Sequence, residues 1–334
     1  MVGILFPNES RSDSPMAFTN VSFTLFSAVE LLKRHHLLRE IITPDRWTLD
    51  AANLPGANTP IPAITYDTRK VVQGSLLFVK GRFKPEFLDS TDDKGLYAYV
   101  AEEDHSDRTR AIGIIVDDVH KAMSLLSAAF YGMPQNELTM VGITGTKGKT
   151  TTAFLAHAIL NEHSHGRCAL FSSVSLCLDG HTMLPSKLTT PESLDAFRMM
   201  RQAVDNGMTH LVMEVSSQAY KVSRVYGLTF DVAAFLNISP DHISPIEHPT
   251  FEDYFHCKRQ IIANCRSLVL SAACDHHDLL REDAAAAGIE VTEFAMDGGA
   301  QVVTCLDPNN KEGFIATIAD GERSVTLEPM ALEM

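Results

Sequence analysis

The stretch Val141-Gly-Ile-Thr-Gly-Thr-Lys-Gly-Lys-Thr-Thr151 is an apolar strand end that turns through glycines into a helix. Glycines let backbone N–H groups converge on phosphate oxygens, and the following helix N-terminus adds positive potential. Lys149 can bridge terminal phosphates, and a hydroxyl of Thr150 or Thr151 can ligate Mg²⁺. Leu138 to Ile143 reads as a strand and Thr150 to Leu160 carries apolar residues at helical spacing, which is the context such a loop requires. Gly145, Thr146, Lys147, Gly148, Lys149, Thr150 and Thr151 are therefore the candidate ATP-binding residues. The strict Walker spacing places a glycine where Ile143 stands, and here the glycines fall at Gly142 and Gly145 instead, so the loop is of a variant type.

The chain has 334 residues, 45% hydrophobic and 21% charged, which suits a globular protein of about two domains. A net charge of −14 argues against nucleic acid or anionic membrane as a partner and favours a small molecule. The six cysteines form no CxxC pair and read as reduced thiols of a cytoplasmic protein. The apolar run Val2 to Phe6 is too short for a signal peptide or a membrane span. Residues 1–20 read as a disordered leader, with Met16 a second candidate start.

Leucines on one face predict a helix over Phe26 to Ile42, and Asn53 to Pro62 reads as a loop. Strands are expected at Ile64 to Lys70, Ser75 to Lys80, Ala98 to Ala101 and Ile112 to Val116, with a helix from His120 to Tyr131. Residues 21–135 form the first expected domain and residues 136–334 the second, which restarts at Leu138 and enters βαβ alternation. Its strands are expected at Ala169 to Ser172, His210 to Val215, Ala233 to Ile238 and Ser267 to Ser271. Helices are expected near Ser193 to Asn206 and Phe251 to Ala263. The fold class is thus α/β, a small α/β N-terminal domain followed by a phosphate-loop domain with a mostly parallel sheet flanked by helices. From Asp275 onward the sequence is rich in alanine and glycine, with weak strands and no chemical motif.

Ligands in such sheets sit at the carboxyl ends of strands, where the remaining polar motifs fall. The run His210 to Ser217 delivers Glu214, Ser216 and Ser217, and a carboxylate at Glu214 can hold Mg²⁺ against phosphates. Asn237 can hydrogen-bond nucleotide, and Asp241 and His242 are turn residues with ligand capacity. Thr189 and Thr190 open a helix, and Arg224 suits a carboxylate or phosphate. Lys258 alone reads as a solvated helix charge.

Taken in order, Thr144-Gly-Thr-Lys-Gly-Lys-Thr-Thr151, Leu188-Thr-Thr-Pro-Glu192, Glu214-Val-Ser-Ser-Gln-Ala-Tyr220 and Asn237-Ile-Ser-Pro-Asp-His242 resemble the Mur ligases of peptidoglycan precursor synthesis. The segment Pro245 to Phe255 with Lys258-Arg259 is similar to the MurE branch that adds L-lysine. The resemblance implies ATP-dependent amide synthesis on UDP-N-acetylmuramoyl-L-alanyl-D-glutamate, through an acyl phosphate that the amine of L-lysine attacks. It implies catalytic roles for Lys149, Glu214, His242 and Lys258. It also implies Mg²⁺ on Thr150 and Glu214, and that Lys258 is carbamylated to N6-carboxylysine, an anionic oxygen ligand for a second Mg²⁺ with His242 nearby. Thr68, in Tyr66-Asp-Thr-Arg-Lys70, falls at the family's uridine-nucleotide position, and Thr189, Thr190, Ser216 and Arg224 fall at positions that hold the muramoyl peptide.

The family's third, Rossmann-like domain and its asparagine-rich segment have no counterpart after Cys274, so a truncated form is expected. Two other readings follow: a catalytically silent binding fragment, and another superfamily ligase such as a folylpolyglutamate synthase.

Overall fold

Thr24 caps the first helix, accepting the backbone N–H of Ser27, in a computed structural model that describes residues 23–241, 243–295 and the two strands 302–306 and 314–318. The leader expected over 1–20 and His242 lie outside the described residues. In chain order the strands are β1 Leu38–Ile42, β2 Trp47–Thr48, β3 Ile64–Thr65, β4 Leu76–Phe78, β5 Ala98–Ala101, β6 Ile112–Val116, β7 Thr139–Thr144, β8 Cys168–Phe171, β9 Ser175–Cys177, β10 Met183–Pro185, β11 His210–Glu214, β12 Phe230–Phe235, β13 Cys265–Ser271, β14 Glu290–Ala295, β15 Val302–Leu306 and β16 Phe314–Ile318. The helices are α1 Leu25–Arg34, α2 Val119–Phe130, α3 Lys149–His163, α4 Ser193–Asp205, α5 Ser217–Lys221, α6 Phe251–Ala263 and α7 His277–Ala287.

Two sheets result. The first runs β2-β1-β6-β5-β4-β3, with β3 to β6 parallel and β1 antiparallel to both its neighbours. The second runs β10-β9-β8-β11-β7-β12-β13-β14-β15-β16. Its strands from β8 to β15 are parallel, with an antiparallel hairpin at one edge and the antiparallel β16 at the other. The inner strands are buried on both faces, as parallel strands under helices must be, so β8 and β11 read as unbroken apolar runs.

The helix expected over Phe26 to Ile42 stops at Arg34. His36 takes a left-handed φ of 54°, and Leu38–Ile42 pairs with β6 instead. Beyond that left-handed residue Leu38–Ile42 found a ladder partner, and tertiary pairing overrode the leucine spacing. The strand expected over Ile64 to Lys70 shrinks to β3, because Asp67 caps a 3-10 turn at Thr68–Lys70 through its side chain. The alanine-rich run after Asp275 forms α7, closed by Gly288 at φ 68°, a helix that composition favours but whose apolar spacing is weak.

Among the described residues no helix is long and apolar enough to cross a membrane. The five described cysteines are buried and unpaired.

A hairpin edge is locked onto the return from α3. Gly180 has φ 77°, and a Cβ there would stand 2.0 Å from the carbonyl oxygen of Gly166. Asn161 holds the same turn, donating to Gly180 O at 2.9 Å. Gly180→Ala is expected to destabilise the chain by roughly 3 kcal/mol, since backbone must move on both sides. A urea midpoint unchanged by this substitution would refute that packing.

Candidate active site

Strand β7 lies between β11 and β12, which brings three carboxyl ends together. Gly142 faces Phe230, and a Cβ there would lie 2.7 Å from the ring. This glycine, outside the Walker spacing, is thus demanded by packing rather than by phosphate. Gly145 and Gly148 instead have positive φ, 151° and 83°, and shape the loop itself.

The segment after β12 and helix α6 clamp that loop. The N–H groups of Thr146 and Lys147 donate to Asn237 Oδ1 at 3.1 and 2.9 Å, and Asn237 Nδ2 donates to Lys147 O at 3.0 Å. Asn237, expected to hydrogen-bond nucleotide, spends both ends of its amide on the loop and shapes it. Thr146 Oγ1 accepts from Ser239 N at 3.0 Å and from Tyr254 OH at 3.1 Å. The start of α3 has no side-chain cap, so its first-turn N–H groups point into a pocket of about 320 Å³. Thr146, Gly148, Lys149, Thr150, Thr151, Ser173, Thr189 and Glu214 line it. A larger, open cavity of about 1050 Å³ lies at the amino ends of β5 and β6 and holds none of the expected residues.

Two lysines meet at one carbonyl. Lys149 Nζ donates to Gly145 O at 2.9 Å and Thr146 O at 3.1 Å, while Lys258 Nζ donates to Gly145 O at 2.8 Å. Lys258 is 1% exposed. Burial, and then the charge of Lys149, push its amine down to about 7. Burial also lowers Lys149, opposed by Glu214. The solvated charge that the isolated sequence suggested for Lys258 is thereby corrected.

Glu214 is fully buried and accepts from Ser173 N at 2.9 Å, Ser173 Oγ at 3.0 Å and Thr150 Oγ1 at 3.1 Å. A buried carboxylate met by hydroxyls rather than by an arginine fork is a hard-oxygen donor set, which fits Mg²⁺. Thr190 Oγ1 donates to Glu214 O at 2.9 Å and accepts from Ser216 N at 3.0 Å, and Thr189 stands 3.0 Å from Ser173 Oγ.

Arg224 donates to Glu192 Oε1 at 3.0 and 2.7 Å and to Thr190 O at 3.2 Å. Glu192 also takes Lys80 from the first sheet at 2.8 Å. Burial would raise its carboxyl, and these two cations outweigh that and hold it low. Tyr66 reaches Asp195 of α4 at 2.5 Å, beside this seam. Thr68 follows in the 3-10 turn, its carbonyl taking Lys94 at 2.9 Å, and no hydrogen bond of the described residues joins it to the loop.

Ser173, Tyr254 and His248 were not singled out from the sequence, and Lys80 and Glu192 stood there only within longer motifs, Phe78-Val-Lys-Gly81 and Leu188-Thr-Thr-Pro-Glu192. Ser173 had a readable signal, since it follows the apolar run of β8 just as Ser216 follows β11. Lys80 and Glu192 become visible only where the two sheets meet, and Tyr254 and His248 only where α6 packs beside the loop and α5.

Parallel sheet, glycine loop, uncapped helix and opposed lysine and carboxylate together define the phosphate-loop class of α/β proteins. Residues 143–326, more than half of the chain, match the Mur ligase middle domain, and the chain belongs to the Mur ligase family. It is 63% identical over 309 residues to a UDP-N-acetylmuramyl-tripeptide synthetase of Bifidobacterium longum (strain NCC 2705), covering 91% of this chain and 60% of that protein. It is 49% identical over 265 residues to the UDP-N-acetylmuramoyl-L-alanyl-D-glutamate–L-lysine ligase of Enterococcus faecalis (strain ATCC 700802 / V583), covering 79% and 52%. The chain thus spans between half and 60% of these relatives. A solved UDP-N-acetylmuramoyl-L-alanyl-D-glutamate–2,6-diaminopimelate ligase shares the fold at TM-score 0.69 and 22% identity, covering 83% of this chain and 57% of that one.

Proposed function

We propose that this chain carries the nucleotide and UDP-sugar sites of an ATP-dependent ligase that adds L-lysine to the D-glutamate of UDP-N-acetylmuramoyl-L-alanyl-D-glutamate. The observation that supports it is the convergence of Lys149 and Lys258 on Gly145 O beside the buried carboxylate of Glu214. In this reading residues 21–135 hold the UDP portion, with Thr68 at the uridine nucleotide, and residues 136–334 hold ATP. The work is done in the cytoplasm, without nucleic acid or membrane insertion.

The first-turn N–H groups of α3 and the amine of Lys149 hold the terminal phosphates and oppose the charge that builds on them. Thr189, Thr190, Ser216 and Arg224 orient the muramoyl peptide so that its D-glutamate side-chain carboxylate lies in line with the terminal phosphorus. That carboxylate takes the phosphoryl group and ADP leaves. The lysine amine then attacks the acyl carbon, and phosphate departs as the amide forms. Thr150 and Glu214 would hold one Mg²⁺, and N6-carboxylated Lys258 with His242 a second, which supply electrostatic stabilisation of the transferring group when bound. The depressed amine of Lys258 supports carboxylation, because only a neutral amine adds carbon dioxide, releasing one proton as the carbamate forms.

Calorimetric titration with UDP-N-acetylmuramoyl-L-alanyl-D-glutamate, with and without Mg²⁺ and a non-hydrolysable ATP analogue, tests the assignment. Binding of both ligands is expected, the analogue only with Mg²⁺. A folded chain that binds neither would leave the family membership as ancestry alone, and binding of a folate instead would favour a folylpolyglutamate synthase.

A further inference from the structure

Outside the pocket, His248 is a fully buried polar side chain in a loop between the second sheet and α6. Its Nδ1 lies 2.6 Å from Asp253 Oδ2, and its Nε2 lies 2.9 Å from Ser217 Oγ. A carboxylate can only accept, so Nδ1 carries the proton and donates it to Asp253, and in the neutral ring Nε2 accepts the Ser217 hydroxyl. The ring also packs edge-on against Tyr254, centroids 5.3 Å apart.

Each partner belongs to a segment that reaches the site. Ser217 opens α5 directly after Ser216, which Thr190 holds at 3.0 Å. Asp253, Tyr254 and Lys258 lie on α6. Tyr254 OH donates to Thr146 Oγ1 at 3.1 Å, and Lys258 donates to Gly145 O at 2.8 Å. Helix α5 spans only five residues, too short to hold its own place by helical stability.

We infer that His248 is a positioning residue: by joining Ser217 to Asp253 it fixes α5 against α6, and through Tyr254 and Lys258 it sets the phosphate loop. The loop's shape therefore depends on a contact made outside the nucleotide pocket, on the side where the muramoyl-peptide segment ends. Its bearing on nucleotide affinity rests on the ligase reading above; the scaffold itself does not.

The thiol of Cys257 lies within 4.8 Å of the Asp253 and His248 donor atoms, an arrangement that invites a metal reading. Lys221 already occupies the same Asp253 oxygen at 2.6 Å, and burial pushes the thiol up to about 11. Both oppose a cation there, and the cluster serves as a brace.

Ser217→Ala removes the hydroxyl alone, and His248→Gln removes the imidazole bridge. In both, amide exchange at Thr146 and Lys147, which Asn237 protects, is expected to quicken by roughly five-fold, while β8 and β13 keep their wild-type protection. The dissociation constant of a non-hydrolysable ATP analogue is expected to rise by about the same factor. A cooperatively melting Ser217→Ala chain with wild-type exchange at both loop amides would overturn the inference, as would uniform acceleration across both sheets, which marks general loosening. Should the wild-type chain bind no analogue, the ligase reading falls and the exchange arm still decides the brace.

Discussion

Lys149→Ala is expected to weaken binding of a non-hydrolysable ATP analogue by roughly 100-fold, the loss that follows when a charge-assisted contact to phosphate is deleted. The amine sits at the mouth of α3 and bonds the loop carbonyls of Gly145 and Thr146. Those carbonyls are its resting partners, and an incoming phosphate offers a stronger one. Truncation leaves the loop standing, because Lys258 still holds Gly145 O and Asn237 still holds Thr146 and Lys147. The melting temperature should therefore move by only a few degrees, about what one lost partly exposed interaction costs a chain of this size. Calorimetry on wild type and variant decides the matter. An affinity within about three-fold of wild type would mean that the helix N-terminus alone carries the phosphates and that Lys149 is a loop strut.

This separation of binding from folding explains which parts of the site could be read in the sequence. Lys149, Thr150 and Glu214 were legible because each is fixed by its own strand or helix end, a local fact that periodicity and glycine placement betray. Thr190 and Ser216 were legible for the same reason, and they meet at 3.3 Å between their hydroxyl oxygens only because β11 lies beside β7 and β8. Asn237 was placed correctly at its strand end, but its hold on the loop was not legible, since nothing in its neighbours announces that the loop's N–H groups turn back upon it. Glu192 resembled a helix start and proved to be the junction of Lys80 and Arg224, residues 112 and 32 positions away. The central parallel strands β8 and β11 were legible from their buried apolar runs. The edge hairpin β9–β10 was not, because β10 is exposed along its whole length and carries no burial pattern to read.

Lys258 sets the second large expectation, in which stability and function move in opposite directions. Its amine is buried, and burial together with the charge of Lys149 lowers it from 10.5 when unfolded to about 7 in the folded chain. Between those values the unfolded chain binds more protons than the folded one, so this group's contribution to stability improves as pH rises through that window. Below about 7 its full cost is present. In bicarbonate-free buffer Lys258→Met should therefore be more stable than wild type at pH 6 by roughly 1–3 kcal/mol, part of the gain being offset by the hydrogen bond to Gly145 O that is lost. The advantage should shrink as pH approaches 10, and urea denaturation at a series of pH values checks both sign and slope. Under labelled bicarbonate the wild-type chain should show a carbamate carbon resonance that the methionine variant lacks. A variant less stable than wild type at pH 6 would mean that the amine is held ionised by partners and is not available to carbon dioxide. A more stable variant beside a wild-type chain that shows no carbamate resonance would mean that a lysine has been kept buried at a cost the fold itself does not require, as strained functional groups are.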